Sequence, residues 1–407
     1  MLGWLPICSR SEPHTQVAVT QIEKKTNCIK RKAGNLTKNL DPHAKYLSRE
    51  KFNLNPDPSK IRNRRILITG AGGSIAKSLI SRIATLEPEA IGLVDHNDST
   101  LYEIYNQLKR SGMPATAYLG SINDIHFVGD ALRSFMPDLV IHAAAYKIVP
   151  LVQEQIIESG KANVLAVERL GNLCGTLGIK DFVFVSSYEA YDPRNVFGYT
   201  KRVAEIFLTE LSRVYPDTHF ASVRFSLVLH STGSVTLLFE RLAKEGQPLT
   251  VTHPDAERYI CTPDEAACCI LGSIGLGDNG SIYTLDMGQP TKIIELAEHI
   301  KQEFMSPSEI RVIGTRPGEK ILESPINGEF GLKPSDVPGL MLTLAPSWDE
   351  KLHRGLREKL YISFERRDKA TALSVMADLC AFEGLRCRRR TYEGHIPVRI
   401  SKPSIAQ

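Results

Sequence analysis

The sequence predicts an α/β protein with a doubly wound parallel sheet and a smaller carboxyl-terminal lobe. From residue 64 to about residue 220, short apolar runs of strand length alternate with longer stretches of helical periodicity, which is the rhythm of βαβ units. The first apolar run ends in glycines and leads directly into a helical pattern. In such sheets ligands bind at the carboxyl ends of the strands, so functional residues are expected just after the strands.

Each predicted strand is a short apolar run bounded by turn residues or by the start of a helical pattern. In chain order these runs are Arg65–Thr69, Ala90–Asp95, Ala115–Leu119, Asp138–His142 and Asp181–Val185. Helices are predicted at residues 74–86, 98–110, 124–136 and 153–178, and, in the less regular second half, near 291–305 and 367–383. The pattern predicts a Rossmann domain at residues 61–220, whose sheet later segments complete, and a substrate-binding lobe at 221–383.

The charge of the chain is distributed unevenly. The 407 residues are 42% hydrophobic and 24% charged, as in soluble globular proteins, and the net charge is +4. Residues 1–60 carry +6 and residues 384–407 carry +5, so the remaining chain carries −7. This acidic body argues against a nucleic-acid-binding core. The basic ends are predicted to be solvated tails, the first also serving as a linker; contact with a nucleic acid, a membrane surface or a partner is the alternative.

The cysteine pattern and the length of the apolar segments predict where in the cell the protein is found. The eight cysteines include no Cys-x-x-Cys pair, and no His/Cys cluster has the spacing of zinc ligands, so no metal site is predicted. This pattern fits a reduced cytoplasmic protein. No run of 18 apolar residues occurs, so no transmembrane segment is expected.

The glycine-rich segment after the first strand has the context of a dinucleotide-binding loop, because a strand precedes it and a helix follows it. Gly70 permits the tight turn, Gly73 lets the backbone approach a pyrophosphate, and the small Ala76 allows close helix packing. The helix N-terminus adds amide donors and positive partial charge. A glycine-rich turn without a ligand is the alternative.

The choice of cofactor depends on the end of the second strand. Asp95 lies 25 positions after Gly70, near the spacing of about 20 expected for the acid that binds the adenosine ribose. A carboxylate at this place repels a 2′-phosphate, so NAD is favoured over NADP. A helix cap or turn is the alternative role for Asp95.

Seven separate stretches between Lys60 and Pro325 occur in the order found in a known family. They are Ile68–Ile75, Val94–His96 with Leu101–Tyr102, His142–Leu151, Asn163–Val164, Asn195–Arg202, Thr250–Asp255 with Arg258–Tyr259, and Arg316–Lys320. In these stretches the chain resembles the extended short-chain dehydrogenase/reductases and, within them, the CapD-like polysaccharide-biosynthesis family of nucleotide-sugar 4,6-dehydratases and epimerases.

The resemblance implies an NAD(P)-dependent cycle on a UDP-linked hexose. A base removes the proton of the 4-hydroxyl as hydride leaves C4, and the 4-keto sugar then loses water or is reduced again. The cofactor is regenerated in each turnover. Relatives commonly pair through the helices next to the active site, so a homo-oligomer is a possibility by analogy.

The resemblance also implies roles for individual residues. Those expected to hold the cofactor's pyrophosphate are Gly70, Gly73, Ser74 and Ile75, with Asp95 at the ribose and Ile122 at the adenine. Those expected on the nicotinamide side are Ala143, Ala144, Lys147 and Asn163, with Lys201 at the nicotinamide ribose. Those expected to grip the diphosphate of the sugar nucleotide are Arg258, Arg316, Glu319 and Lys320. Ser121 stands where the family usually has an Asp at the adenine edge.

Two departures affect the expected catalytic residues. The superfamily uses Tyr-x-x-x-Lys, whose members share one helix face, but Phe197 stands four positions before Lys201 and carries no exchangeable proton. The family's Ser-Thr-Asp-Lys after the fifth strand is here Ser186–Glu189. By likeness to the dTDP-glucose 4,6-dehydratases, Glu189 would take the C5 proton and Ser187 would bond the 4-oxygen. Tyr188 would replace the acid, act as the base at the 4-hydroxyl, or only pack over the strand end.

Three functions follow from these observations. The first is an NAD-dependent nucleotide-sugar epimerase or 4-oxidoreductase, or a 4,6-dehydratase; a phenol is a weaker acid than a carboxyl group, so the changes disfavour dehydration. The second is a catalytically silent binder of NAD or a nucleotide sugar with a regulatory or scaffold role. The third is a nucleic-acid or membrane-surface protein that uses the basic ends.

Overall fold

Strands and helices alternate through the first half of the chain. We describe residues 56–323, 332–343 and 350–381 from a computed structural model. The strands are β1 (Arg65–Thr69), β2 (Ala90–Asp95), β3 (Ala115–Leu119), β4 (Leu139–His142), β5 (Asp181–Val185), β6 (His219–Arg224), β7 (Leu227–Val228), β8 (Leu249–Val251), β9 (Glu257–Arg258), β10 (Ile260–Cys261), β11 (Ser281–Leu285), β12 (Thr291–Lys292), β13 (Ile310–Val312), β14 (Leu332–Pro334) and β15 (Leu340–Thr343). The helices are α1 (Ser74–Thr85), α2 (Asp98–Ser111), α3 (Ile125–Phe135), α4 (Val149–Glu154), α5 (Ile156–Gly160), α6 (Ala166–Thr176), α7 (Val196–Val214), α8 (Val235–Lys244), α9 (Pro263–Gly272), α10 (Ile293–Glu303), α11 (Glu350–Glu365) and α12 (Lys369–Ala381).

Nine strands form one sheet in the order β14-β15-β11-β6-β5-β4-β1-β2-β3. Seven of them, from β11 to β3, run parallel, and β15 and β14 extend the edge antiparallel. The chain starts at β1, moves outward to β3 and returns to β4 on the other side of β1. This reversal places a crevice at the carboxyl ends of β1 and β4.

Helices cover both faces of the sheet. On one face α1, α2 and α9 bury residues such as Leu79, Ile104 and Cys269, and on the other α3, α6 and α7 bury residues such as Leu132 and Leu208. The parallel strands are therefore buried on both sides, which explains why they read as continuous apolar runs. The predicted doubly wound α/β fold is confirmed.

Two predicted features of the helices were wrong. The helix predicted at 153–178 is interrupted at Gln155 and contains one π-helical turn, Lys161–Leu165, before α6 begins. The second half contains more helix than its irregular pattern predicted, because α8, α9 and α11 also form there. The segment β11 joins the parallel sheet from beyond residue 220, as expected of later segments. The domain boundary at residue 220 stays a prediction.

A smaller layer packs beside the main sheet. There α8 and α10 enclose an apolar cluster with β8, which pairs with β13. Its fully buried side chains include Phe239, Leu249 and Ile300. This layer carries the loops that lead to Arg258 and Arg316.

The last two helices cover α5 and α7. Phe364 of α11 is fully buried, and a Cβ added to Gly160 would lie 2.3 Å from its ring, so only glycine allows this approach. Arg357 lies over the Phe207 ring, with 4.5 Å to its centroid, and pairs with Glu168 at 3.5 Å. The hairpin α11–α12 is therefore part of the core and supports the helix that carries Lys201.

The sequence also predicted basic ends and no membrane-spanning helix. The basic ends predicted at 1–60 and 384–407 lie outside the described residues, except for residues 56–60, which include a short 3-10 turn at Pro58–Lys60. Among residues 56–323, 332–343 and 350–381, no helix combines the length and the apolar character that crossing a membrane requires.

Removal of the Phe364 ring tests the contribution of the hairpin. We expect Phe364→Ala to lower the free energy of unfolding by about 3–5 kcal/mol, because a large buried side chain is replaced by a cavity. Ile362→Ala, on the exposed side of the same helix, is the control and should change stability by about 0.5 kcal/mol or less. Urea unfolding of both variants measures the effect, and equal small changes would contradict the packing described above.

Candidate active site at the carboxyl edge of the sheet

The turn after β1 brings backbone close to backbone. Gly70 has a positive φ of 67°, and a Cβ there would lie 2.7 Å from the Ala144 Cα and N atoms. Gly73 caps α1 without a side-chain hydrogen bond, and a Cβ there would lie 3.1 Å from the Gly70 oxygen. The first amides of α1 are thus not capped by a side chain, which is the arrangement that binds a phosphate group.

Ser74 and Ile75 begin α1 in different surroundings. The Ser74 hydroxyl accepts a hydrogen bond from the Thr232 backbone N–H at 3.0 Å and lies 3.2 Å from the Thr232 hydroxyl. Ile75 is half-buried against the main core. The glycine loop is therefore in contact with the loop that precedes α8, so both would border a ligand held there.

Asp95 lies at the end of β2, beside the glycine loop. Its Oδ2 accepts a hydrogen bond from the Gly72 N–H at 2.8 Å, and its Oδ1 accepts one from the Asn97 N–H at 2.9 Å. Two amide donors thus hold the carboxylate at the loop, where the sequence predicts the adenosine ribose. Ile122, predicted at the adenine, is half-buried after β3 and packs on the core of the other face.

The residues predicted on the nicotinamide side follow β4. Ala143 and Ala144 are half-buried and Lys147 is exposed. Asn163 is fully buried in the π-helical turn, where its Oδ1 accepts from the Tyr146 N–H at 2.9 Å and its Nδ2 donates to the Tyr146 oxygen at 2.8 Å and the Thr200 hydroxyl at 3.2 Å. Asn163 therefore ties the loop after β4 to α7.

Lys201 lies on α7 beneath the end of β5. Its Nζ donates to the Val185 oxygen at 2.9 Å and lies 4.5 Å from the centroid of the Phe184 ring. Burial lowers the pKa of Lys201 to about 7, although the nearby Glu205 carboxylate opposes the shift. Phe197, one turn earlier, is buried in the apolar cluster with α11 and α12. Position 197, one turn before Lys201, thus supplies a phenyl ring and not a phenol.

Glu189 lies in a 3-10 turn, Tyr188–Ala190, directly after β5. The Ser187 hydroxyl caps this turn by accepting from the Glu189 N–H at 3.2 Å. The Glu189 side chain is 16% exposed, and its Oε2 accepts from Asn195 Nδ2 at 3.0 Å and pairs with Lys320 Nζ at 3.8 Å. A carboxylate held in this way, with access to solvent, can exchange a proton with a bound molecule.

Tyr188 is packed rather than presented to the crevice. Its ring is buried and stacked on Tyr259 at 5.8 Å between centroids, and its hydroxyl donates to the Leu285 oxygen at 3.3 Å. Burial raises the pKa of the phenol well above its ordinary value. These contacts are those of the packing alternative for Tyr188.

The residues predicted to grip a diphosphate divide into two sets. Arg258 lies between carboxylates, with Nε 3.5 Å from Glu323 Oε1 and Nη2 3.9 Å from Glu319 Oε1. Arg316 is exposed, and its backbone N–H donates to the Glu319 carboxylate at 3.0 Å. Lys320 faces Glu189 instead. Arg258, Arg316 and Glu319 are thus close together, and Lys320 is separate from them in its contacts.

Two residues of the site were not predicted. Asn195 caps α7 by accepting from the Gly198 N–H at 2.9 Å, and it also donates to Glu189. An Asn three positions before a helical amide is a typical cap signal, so its position could have been found. Burial raises the pKa of Glu323, while the adjacent Arg258 opposes the shift. No local pattern marks Glu323, because its partners come from distant segments.

Comparison with known proteins identifies the family of this chain. A family model described as "Polysaccharide biosynthesis protein" matches residues 66–343, more than half of the chain. The chain belongs to the polysaccharide biosynthesis protein family. The resemblance predicted from the seven stretches is confirmed.

Relatives of this family member include proteins named for synthesis and for epimerisation. "Probable polysaccharide biosynthesis protein EpsC" of Bacillus subtilis is 32% identical over 78% of this chain and 56% of its own length, so the chain spans about half of that relative. A "UDP-glucose 4-epimerase" of Rickettsia akari is 28% identical over 68% of this chain and 82% of its own length. The solved structure of Pen from Bacillus thuringiensis is 26% identical, with a TM-score of 0.64, and covers 69% of this chain and 88% of that one.

The environment of Lys201 predicts a pH dependence of stability. Between the folded-state pKa of about 7 and the value of 10.5 for a free lysine, the unfolded chain keeps a proton that the folded protein has released. Stability contributed by Lys201 therefore rises with pH in this window, by at most about 1.4 kcal/mol per pH unit. Below it both states are protonated, and the burial penalty is fully present.

Comparison with Lys201→Met isolates this effect, because the other titrating groups cancel. From pH 7 to pH 9 we expect the wild type to gain about 2 kcal/mol of unfolding free energy relative to the variant, measured by urea unfolding without added ligand. Parallel pH profiles for the two proteins would show that Lys201 stays charged in the folded state.

Proposed function

We propose that this protein binds NAD in the glycine loop and interconverts a UDP-linked hexose through a 4-keto intermediate, as an epimerase or 4-oxidoreductase. The observation that carries the proposal is the placement of Glu189. Its carboxylate is partly exposed at the carboxyl end of β5 and is held by Asn195 and Lys320. Lys201 lies beneath the same strand end, and we expect a bound sugar to lie where both groups can exchange protons with it.

The residues after β1 and β2 fit NAD. The uncapped N-terminus of α1 and the absence of side chains at Gly70 and Gly73 leave backbone amides for a pyrophosphate. The Asp95 carboxylate favours ribose hydroxyls and disfavours a 2′-phosphate, which supports NAD over NADP. Bound NAD would accept and return the hydride of the sugar C4.

Lys201 would exchange the proton of the 4-hydroxyl. Phe197 cannot do so, and an amine whose pKa is about 7 can both accept and return a proton near neutral pH. Ser187 would bond the 4-oxygen, as the resemblance implies. Glu189 would take the C5 proton, which is acidic only while C4 is a ketone, and return it to the same carbon.

The surroundings of Tyr188 favour this reaction over dehydration. Loss of the 6-hydroxyl as water needs a proton donor, and the hydroxyl at position 188 is buried and donates to a backbone carbonyl. We therefore expect C5 exchange or epimerisation with the 6-hydroxyl retained. The exposed Arg316 and the partly buried Arg258 would bind the diphosphate, because guanidinium groups pair well with phosphate oxygens.

A catalytically silent binder of NAD or a sugar nucleotide is the second candidate. The packing of Phe197 and Tyr188 in apolar or aromatic surroundings favours it, since neither side chain replaces the acid or base of the family. This candidate predicts binding without turnover, whereas the first predicts both.

Substitution of Asp95 tests the cofactor. We expect Asp95→Asn to weaken NAD binding about tenfold or more and to raise the ratio of NADP to NAD affinity, because a charged acceptor is lost. Calorimetric titration with both cofactors measures the change. Asp130→Asn, an exposed site on α3, is the control, and an unchanged NAD affinity in Asp95→Asn would remove Asp95 from the cofactor site.

Glu189→Gln tests the reaction. The wild type with NAD is incubated in heavy water with UDP-glucose, UDP-galactose and UDP-N-acetylglucosamine, and NMR follows C4 configuration and deuterium at C5. We expect Glu189→Gln to lose C5 exchange by at least about a hundredfold, the usual contribution of a general base. Glu298→Gln, exposed on α10, should match the wild type.

Absence of C4 and C5 changes in the wild type across these sugars, with UDP-sugar binding still measurable, would favour the silent binder. Full C5 exchange in Glu189→Gln would leave the enzyme proposal standing and remove Glu189 as the base.

A further inference from the structure

The loop that contains Arg316 returns to the segment after β5 and touches it at several points. Lys320 Nζ donates to the Tyr191 oxygen at 2.5 Å, and Asn195 Nδ2 donates to the Gly318 oxygen at 3.3 Å. Gly318 has a φ of 75°, and a Cβ there would lie 2.3 Å from the Arg194 oxygen. The approach is therefore as close as two backbones allow.

The two cations of this loop have different surroundings. Arg316 is exposed, whereas the Lys320 side chain is only 9% exposed. A buried ammonium is costly unless it is paired and hydrogen-bonded. Lys320 has both kinds of partner, the Tyr191 carbonyl and the Glu189 carboxylate at 3.8 Å. Its position thus depends on Glu189, and it is not available to a ligand in the way that Arg316 is.

Among the residues that the structure describes, the side-chain contacts on Glu189 fall on one of its two oxygens. Asn195 donates to Oε2, and the Lys320 ammonium is also nearest to Oε2. Asn195 is itself fixed as the cap of α7, and Lys320 is fixed on the backbone of Tyr191. Two anchored groups therefore set the rotation of the carboxylate, and Oε1, which has no such contact within the described part of the chain, is the oxygen that would accept a proton.

We propose that Lys320 is a positioning residue for Glu189 and does not grip the substrate diphosphate. Through Lys320 and Gly318, the loop that carries Arg316 sets the orientation of the carboxylate, so an ordered loop and an ordered base occur together. The proposal rests on the proposed role of Glu189 as the base at C5. Three carboxylates, those of Glu189, Glu323 and Asp192, act electrostatically on Lys320, and the Arg194 guanidinium acts in the opposite sense. The charge of Lys320 therefore also offsets the negative charge around Glu189.

Lys320→Met, which keeps the length of the side chain and removes its charge, is the test variant. We expect the kcat for C5 exchange to fall about a hundredfold, because a displacement of the base by about 1 Å has an effect of that size. The Kd for UDP should change less than about twofold. Arg316→Met is the comparison, because loss of an exposed phosphate contact should weaken UDP binding about tenfold. Lys320→Arg, which keeps the charge, should restore part of the lost rate and confirms folding if Lys320→Met is unstable.

The outcomes separate the inference from the proposed function. A UDP Kd raised tenfold in Lys320→Met, with kcat unchanged, would overturn the positioning role and restore Lys320 to the diphosphate site. If the wild type catalyses no exchange, the proposed function fails, and crystals of Lys320→Met decide the inference alone. A Glu189 carboxylate displaced from Asn195 in those crystals would support it, and an unmoved one would overturn it.

Discussion

The site depends on the close approach of two backbone segments at the middle of the sheet. A Cβ at Gly70 would lie 2.7 Å from Ala144, so the turn after β1 can lie against the loop after β4 only if this residue is glycine. The two strands are neighbours where the chain reverses its direction across the sheet, and the crevice between their loops follows from that reversal. Asp95 is then held from the glycine loop through the Gly72 amide, and Asn163 holds the opposite loop against α7. One steric constraint thus aligns the proposed cofactor site on both of its sides.

The buried charged groups at this edge of the sheet differ in their partners, and the difference separates structural from proposed reactive groups. Glu205 is fully buried and bonded to Arg224 at 2.7 and 2.6 Å and to Arg202 at 2.9 Å, which stabilises α7 against β6. Lys201, one turn before Glu205, donates only to a backbone carbonyl among its described contacts, and its pKa is correspondingly lowered. Glu189 keeps a partly exposed carboxylate although two groups hold it. This difference supports our proposal that proton exchange takes place at Glu189 and Lys201.

The first half of the fold could be predicted from the sequence because its parallel strands are short apolar runs, of which β1 and β3 are followed by a glycine and β2 ends in Asp95. The bounds of β1, β2, β3 and β5 equal those predicted. The interruption at Gln155 and the π-helical turn around Asn163 have no local signal in the sequence, and Gly160 between them packs against the ring of Phe364, some 200 residues later in the chain. The placement of Lys320 could not be predicted either. Its hydrogen bond to Tyr191 spans 129 residues, whereas the resemblance implied only a role at the substrate diphosphate, shared with Arg316.

A structure of the Glu189→Gln protein with NAD and a UDP-hexose would test the central claim most directly, because the isosteric side chain holds the geometry while chemistry at C5 is blocked. The account predicts the NAD pyrophosphate over the amides that begin α1, the UDP diphosphate at Arg316 and Arg258, and the sugar C5 about 3–3.5 Å from the side chain at position 189, the separation of a reactive contact. A sugar bound with C5 remote from that side chain, or a cofactor bound away from Gly70 and Gly73, would contradict it.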